Sequence, residues 1–395
     1  MDATRCPAHR RVCRSVPDSE PVTTQRERIR LVVLFGGRSA EHDISRVSAS
    51  HVMSAVDPER YEVVPVGITR SGEWRLAERA AELLGTGAEL PSAIDVEGRT
   101  VDPLGPGGLV ADVAPASGPG DGSPVTVVFP VLHGPNGEDG TVQGLLEMAG
   151  VPYVGAGVLG SAVAMDKAMA KTVLDAAGIP QPRWRTITSE ELVTPGLAGD
   201  LLDELGPVVF VKPANMGSSI GVSRAVNVAG VDAALADASR YDERFVVEEC
   251  IGTTDERVRE LECGVIGNRS PRASTVGEIV PAAEFYDYDD KYRDGAARTV
   301  IPAELSDGLA DHVRDLAVRT FAALRAEGLA RVDMFLAPDG RVLVNEINTM
   351  PGFTPISMFP QLWAASGLSY TALVDELVGL AIERHDRRSR FETGR

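Results

Sequence analysis

Three oxygen-bearing side chains near the C-terminal end carry the most chemistry: Asp333, Glu346 and Asn348. Asp333 lies in the run Arg331-Val332-Asp333-Met334-Phe335-Leu336. Glu346 and Asn348 close a second run, Val342-Leu343-Val344-Asn345-Glu346-Ile347-Asn348. Pro338-Asp339-Gly340 between them is a turn signal, so the two runs read as a β-hairpin. Residues i and i+2 of a strand face the same side, which groups Glu346 with Asn348 and lets Asp333 approach across the hairpin. Two carboxylates and an amide on one spot suit Mg²⁺, a hard cation that takes few carboxylates and completes its shell with phosphate oxygens. The chemistry implied is that of a nucleotide.

Other segments fit a phosphate. Lys212 ends the apolar run Val208–Lys212, and Gly217-Ser218-Ser219-Ile220-Gly221 follows. Small residues let backbone N–H groups approach an anion, the hydroxyls of Ser218 and Ser219 add donors, and Lys212 neutralises charge. Alone such a loop is an ordinary turn; beside a basic strand residue and a Mg²⁺ triad it gains weight. Met165-Asp166-Lys167 reads as a helix start that aims Lys167 at phosphate. Gly155-Ala156-Gly157-Val158-Leu159-Gly160 matches G-x-G-x-x-G. That fingerprint normally opens a dinucleotide-binding domain, whereas here a separate strand–helix array precedes it. No G-x-x-x-x-G-K-[ST] occurs.

Two loops follow strands at positions where open α/β sheets bind ligands. One is Gly36-Gly37-Arg38-Ser39-Ala40-Glu41, where Glu41 is either a helix-start acid favoured by the dipole or a partner for a substrate ammonium. The other is His133-Gly134-Pro135-Asn136-Gly137-Glu138-Asp139-Gly140, a solvated turn or a site loop carrying His133. Asp287-Tyr288-Asp289-Asp290-Lys291-Tyr292-Arg293 has no apolar period and reads as a mobile loop, either plain surface or a lid over a charged reaction.

The elements that must position these residues alternate at first. Ile29–Phe35 is a buried-strand run, Ser45–Val56 has helical spacing, Tyr61–Ile68 and Val125–Val131 are strands, and Thr141–Ala149 is a helix. Alternation implies a parallel sheet, placed at 29–150, with a Gly- and Pro-rich surface excursion at 84–124. A second unit, 151–250, holds a helix from Met165 to Ala177 and strands at Trp184–Ile187, Val208–Lys212 and Phe245–Glu249. A third, 251–388, holds strands at Leu261–Ile266 and Ser274–Ile279, a loop at 284–299, a helix at Leu309–Glu327, the hairpin, and a helix near 370–384. The chain is thus expected to be α/β, with three domains.

Composition narrows the class. The 395 residues are 44% hydrophobic and 24% charged, ordinary for globular proteins with ample core. With 39 basic and 57 acidic residues the net charge is −18, which repels a polyphosphate backbone and argues against nucleic acid as a partner. No apolar run approaches the roughly 20 residues that span a bilayer, so no membrane partner is expected. Four scattered cysteines argue against a disulfide framework. Cys6 and Cys13 bracket His9 at a spacing that matches no familiar zinc pattern. Residues 1–28 lack the apolar stretch of a signal peptide and read as a disordered tail of a cytoplasmic protein.

In their order along the chain these motifs resemble the ATP-grasp ligases, and within them the D-alanine–D-alanine ligase family. The resemblance runs from about residue 30 to about residue 385. It rests on Gly36-Gly37-x-Ser39-x-Glu41, His133-Gly134-x-x-Gly137-Glu138-Asp139-Gly140, Met165-Asp166-Lys167, Val211-Lys212-Pro213 and Gly217-Ser218-Ser219. It continues through Glu260-Leu261-Glu262-Cys263, Phe285–Tyr292, Arg331-Val332-Asp333 and Asn345–Gly352. It implies an ATP-grasp fold, α+β in its ATP-binding half, with ATP clamped between the central and C-terminal domains. Lys167, Lys212 and Ser219 would bind phosphate, Glu248 and Ile251 adenine, Glu260 ribose, and Lys291 the γ-phosphate. Asp333, Glu346 and Asn348 would hold two Mg²⁺ or Mn²⁺ ions, with Glu346 bridging, and a K⁺ requirement stays open. Glu41, Ser218 and Tyr292 match the network around a first D-alanine, with His133 nearby. Arg331, Gly352, Ser357 and Met358 would line the path of a second. The implied activity is ATP-dependent D-alanyl-D-alanine synthesis for peptidoglycan precursors, by a homodimer. Joining D-alanine to D-lactate or D-serine, or a nucleotide-binding regulator without chemistry, are the alternatives.

Overall fold

The computed structural model describes residues 28–104, 125–252, 258–280 and 298–392. Its strands form three sheets. The first has the order β3-β2-β1-β4, from β1 (Ile29–Gly36), β2 (Tyr61–Ile68), β3 (Trp74–Leu76) and β4 (Thr126–Pro130). β1 pairs in parallel with both β2 and β4, and β3 is antiparallel to β2. Leu31 to Phe35 of β1 are fully buried, as a near-continuous apolar run covered on both faces should be.

The second sheet is antiparallel, with the order β5-β8-β6-β7: β5 (Trp184–Thr188), β6 (Val209–Pro213), β7 (Ser223–Ala225) and β8 (Arg244–Glu249). Helices Leu197–Leu205 and Val228–Ala238 cover one face, and their apolar residues share a cluster with Ile187, Val209, Val211, Phe245 and Val247. The third sheet, also antiparallel, has the order β11-β10-β9-β12-β13: β9 (Arg259–Gly267), β10 (Arg272–Val280), β11 (Arg298–Val300), β12 (Gly328–Leu336) and β13 (Val342–Asn348). The hairpin expected around Pro338-Asp339-Gly340 is the β12–β13 pair, with a register shift between Asp333 and Met334.

Three local expectations need correction. The helix expected from Met165 to Ala177 is two, Val158–Met165 and Lys167–Ala176, broken at Asp166. Asp166 has extended backbone and accepts from Met169 N, so it caps the second helix and stops the first. The 84–124 stretch is not all surface: Ile94 and Val101 are buried, and helix Glu78–Thr86 runs into it. Short apolar pieces between glycines and prolines carry no period, so they hid their place in the core. Helix Met358–Ala365 was not foreseen, because the run is too short to show a clear period.

The cores cut across the chain order. Helix Tyr370–Arg388 lies on the first sheet, where Leu373, Val374 and Leu377 share a cluster with Leu31, Val33 and Phe129. Ala164, Ala170 and Leu174 from the two helices at 158–176 pack with Leu261, Val332 and Ile347 of the third sheet. Among the described residues no single helix is long and apolar enough to cross a membrane. The bent pair Met358–Ala365 and Tyr370–Arg388 is apolar enough together, but Phe359, Leu362, Trp363, Leu373 and Val374 are buried in the core.

Candidate active site

The hairpin register sets out the acidic centre. Asp333 lies opposite Glu346 on β13 and opposite Glu262 on β9. The next row on the same face holds Arg331, opposite Asn348 and Gly264. Arg331 forms a bidentate pair with Asp333, both contacts at 2.7 Å, and its Nε is 3.0 Å from Glu262 Oε2. Asn348 Nδ2 donates to Asp333 Oδ2 at 3.0 Å. Burial works against the Arg331 charge, but the carboxylates of Asp333, Glu262 and Glu346 hold it on well above the usual range. The structure thus brings Arg331, Asp333, Glu346 and Asn348 onto one face. Glu260 shares that face two residues before Glu262.

Among the described residues no three of His, Cys, Asp and Glu converge tightly enough to hold a metal by themselves. The donor set that fits a divalent cation is two carboxylates and one amide oxygen, with the shell left for phosphate. Rotation of the Asn348 amide would present its oxygen where the nitrogen now donates, since amide orientation follows the hydrogen-bond network.

A cluster of basic residues faces this centre. Lys212 on β6 donates to Glu248 Oε2 at 2.9 Å and to Asn345 Oδ1 at 3.2 Å, so it bridges the second and third sheets. Lys171, on the same helical face as Lys167 one turn earlier, places its ammonium 3.3 Å from Glu248 Oε1. Burial pushes the Glu248 carboxyl up, but the two ammonium groups win and draw it down to about 2. Lys167 Nζ donates to Met216 O at 2.6 Å, at the start of the Gly217–Gly221 loop. A cavity of about 20 Å³, room for one water, is lined by Lys167, Lys171, Asn345 and Glu346 among others. Ile251 lies just after β8, three residues past Glu248, and is half-buried.

Residues expected around a first substrate, Glu41 and Ser218, meet at a third point. Ser218 Oγ donates to Glu41 Oε1 at 2.5 Å, across 177 positions of sequence. Ser218 and Ser219 have φ of 49° and 58°, the left-handed region that non-glycine residues occupy at a cost of about 1–2 kcal/mol each. A Cβ on Gly134 would stand 2.9 Å from Glu41 Oε2, so a side chain there would fill the carboxylate's place. His133 is buried, with Nδ1 2.9 Å from Met350 O and Nε2 3.4 Å from Ser48 Oγ. Burial keeps it neutral, against Glu41 and the Met350 carbonyl, and Nδ1 must carry the proton to serve that carbonyl. His133 thus ties the first sheet to the turn after β13. Glu138 completes the tie by accepting from Gly134 N at 2.7 Å and Met350 N at 3.0 Å.

On the acceptor side, Ser357 caps helix Met358–Ala365 by position, and its Oγ is 2.8 Å from Thr354 Oγ1. A Cβ on Gly352 would meet Ser357 Oγ at 2.8 Å, which holds the turn close to the helix start. Met358 is 5% exposed and packs with Ile279 and Leu362. Lys291 and Tyr292 lie outside the described residues, as does most of the expected loop at 284–299. Lys171, Glu138, Glu262 and Asn345 were not foreseen. Two had a signal in spacing: Lys171 follows Lys167 by one helical turn, and Glu262 follows Glu260 by one strand repeat.

Two family models match the chain: D-ala D-ala ligase N-terminus over residues 30–156 and D-ala D-ala ligase C-terminus over residues 173–379. The chain belongs to the D-alanine–D-alanine ligase family. A D-alanine–D-alanine ligase from Geobacillus thermodenitrificans is 46% identical over 364 residues, covering 91% of this chain and 97% of the relative. One from a Mycobacterium species is 48% identical over 373 residues, with 91% and 97% covered. Among solved structures, the D-alanine–D-alanine ligase from Coxiella burnetii aligns with a TM-score of 0.74 at 36% identity, covering 92% of this chain and 98% of that one. A D-Ala:D-Ser ligase from Enterococcus faecalis aligns with a TM-score of 0.76 at 32% identity, with 90% and 100% covered. These neighbours bear out the ATP-grasp ligase fold expected from the motifs.

Proposed function

We infer that this chain joins two D-alanines to D-alanyl-D-alanine with conversion of ATP to ADP and phosphate, a step toward peptidoglycan precursors. The observation that carries this reading is the convergence of Arg331, Asp333, Glu346 and Asn348 on one face of the third sheet, opposite Lys212 on the second. A carboxylate resists an amine because oxide is a poor leaving group. Transfer of the γ-phosphoryl group to the first D-alanine carboxylate solves this, giving D-alanyl phosphate and ADP. The amine of the second D-alanine then adds to the carbonyl carbon, and collapse of the tetrahedral adduct expels phosphate.

The chain's own groups have separate tasks in this reading. Glu41, oriented by Ser218, receives the first substrate's ammonium. Lys167, Lys212 and the Ser219 backbone hold ATP phosphates, with Glu248 and Ile251 at adenine and Glu260 at ribose. Arg331 and the Gly352 N–H face the carbonyl oxygen as it becomes an oxyanion; each well-placed donor is worth roughly 3–4 kcal/mol. Ser357 helps shape the acceptor path, with Met358 packed behind it. Lys291 and Tyr292 are assigned by resemblance alone, to the γ-phosphate and the first substrate. Mg²⁺ or Mn²⁺ on Asp333, Glu346 and Asn348 would neutralise phosphate charge during transfer. A cytoplasmic homodimer remains part of the proposal.

The test is dipeptide formation with ATP, Mg²⁺ and D-alanine, run against D-serine and D-lactate as acceptors. D-alanyl-D-alanine as the dominant product supports the reading. A dominant D-serine or D-lactate product replaces the acceptor assignment. ATP binding without ADP release in the presence of D-alanine leaves only a nucleotide-binding role.

A further inference from the structure

The buried trio Lys171–Glu248–Lys212 poses a problem that the proposed reaction does not resolve. Lys212 is assigned to phosphate, yet its ammonium is already committed to Glu248 and Asn345. Glu248 is 2% exposed, and a carboxylate that deep cannot release its only cation without a large penalty. Glu248, however, has two cations. Lys171, also 2% exposed, lies 3.3 Å from the oxygen that Lys212 does not use. Lys171 comes from helix Lys167–Ala176, whose side chains pack with the third sheet, whereas Glu248 is on the second. The pair therefore also joins two sheets. The cavity that Lys171 shares with Ala164, Leu174 and Ile347 has a volume of only about 20 Å³, room for one water and not for an ammonium to follow Lys212 outward.

We propose that Lys171 is a positioning residue that keeps Glu248 charge-compensated, so that Lys212 can leave Glu248 for the phosphates of ATP. Lys171 then touches neither substrate nor metal and acts through Glu248. The idea rests on the ATP-dependent reading above. It differs from a purely structural role in one respect: the effect of losing Lys171 must disappear when Glu248 no longer carries charge.

The experiment measures the dissociation constant for ATP, in Mg²⁺, for the full chain and for Lys171→Met, Glu248→Gln and the double variant. Expected is a rise of about tenfold or more for Lys171→Met, because Lys212 is then Glu248's last partner and is held back. Adding Lys171→Met to Glu248→Gln should change the constant less than about twofold, the non-additivity expected of two residues that act as one coupled pair. The second comparison stands even where Lys171→Met alone fails to fold. Unchanged ATP binding in Lys171→Met overturns the inference. So does an equal loss in both backgrounds, which marks Lys171 as acting without Glu248. Absence of ATP binding by the unaltered chain instead overturns the nucleotide reading itself.

Discussion

Replacing Arg331 by Met isolates the charge balance of the acidic centre. The guanidinium side chain is 18% exposed, between Asp333 at 14% and Glu262 at 11%. Met keeps the length of the stem but leaves two mostly buried carboxylates without their cation. Breaking such a pair costs about 3–5 kcal/mol, and the partial exposure of all three groups puts the expectation near the lower end, ~3 kcal/mol. For a chain this long that is a fall in Tm of about 4 °C. Thermal melts with and without excess MgCl₂ read it directly. The variant should also gain more from Mg²⁺ than the parent, because freed Asp333 and Glu346 bind a cation that now relieves repulsion. Ligation should fall by about 10²–10³-fold, the loss expected for one oxyanion donor. An unchanged Tm, or equal Mg²⁺ shifts in the two proteins, would refute the view that Arg331 holds these carboxylates together.

Glu346→Gln should fold normally and lose nearly all ligation, measured as dipeptide formed; turnover like the parent's removes Glu346 from the metal set. His133 is held neutral in the fold, below the ordinary 6.5. The unfolded chain therefore takes up a proton first as pH falls through 6.5, so this group's share of stability is intact above that value and lost progressively below it. His133→Asn should flatten the decline of Tm between neutral and mildly acidic pH, and a parallel decline in the two proteins counts against the assignment. Gly264→Ala would place a Cβ 2.8 Å from Trp363 Nε1 and 3.3 Å from the Phe359 ring. Overpacking of this kind costs about 1–3 kcal/mol, and an unchanged denaturant midpoint would show that helix Met358–Ala365 shifts freely.

What the sequence revealed followed the strength of its local signals. β2 was read with its observed bounds because Tyr61–Ile68 is apolar and flanked by turns. The hairpin was legible because Pro338-Asp339-Gly340 dictates a reversal and the strand repeat places Glu346 with Asn348. Helix Leu197–Leu205 and the buried role of Ile94 were not, since both depend on partners distant in sequence, and the break at Asp166 was hidden because helical residues flank its local cap on both sides. The same limit applies to the site. Asp333, Glu346 and Lys212 announce themselves by type and position. Arg331 as the hub of three carboxylates exists only once β9, β12 and β13 pair, and Glu248 as the shared partner of two lysines only once helix Lys167–Ala176 meets the second sheet. Their residue types are legible; their partners are not.

The distribution of apolar contact also assigns a mechanical role to the second sheet. Its apolar cluster draws only on residues between Ile187 and Val247, together with Leu192 and Leu202. The first and third sheets, in contrast, are joined through one cluster that runs from Leu31 and Phe129 to Ile266, Leu329 and Trp363. What ties the second sheet to the others is largely polar: Lys171 and Lys212 on Glu248 and Asn345, Lys167 on Met216, Asn215 on Asp166, and Ser218 on Glu41. Apolar clusters separate only at the full cost of exposing their surface, whereas polar contacts open to solvent exchange with water and anions at a net cost of about 1 kcal/mol each, the buried Lys171–Glu248–Lys212 trio excepted. The ties of the second sheet thus include Lys167, Lys212, Glu248, Ser218 and Glu41, groups proposed for ATP and the first substrate.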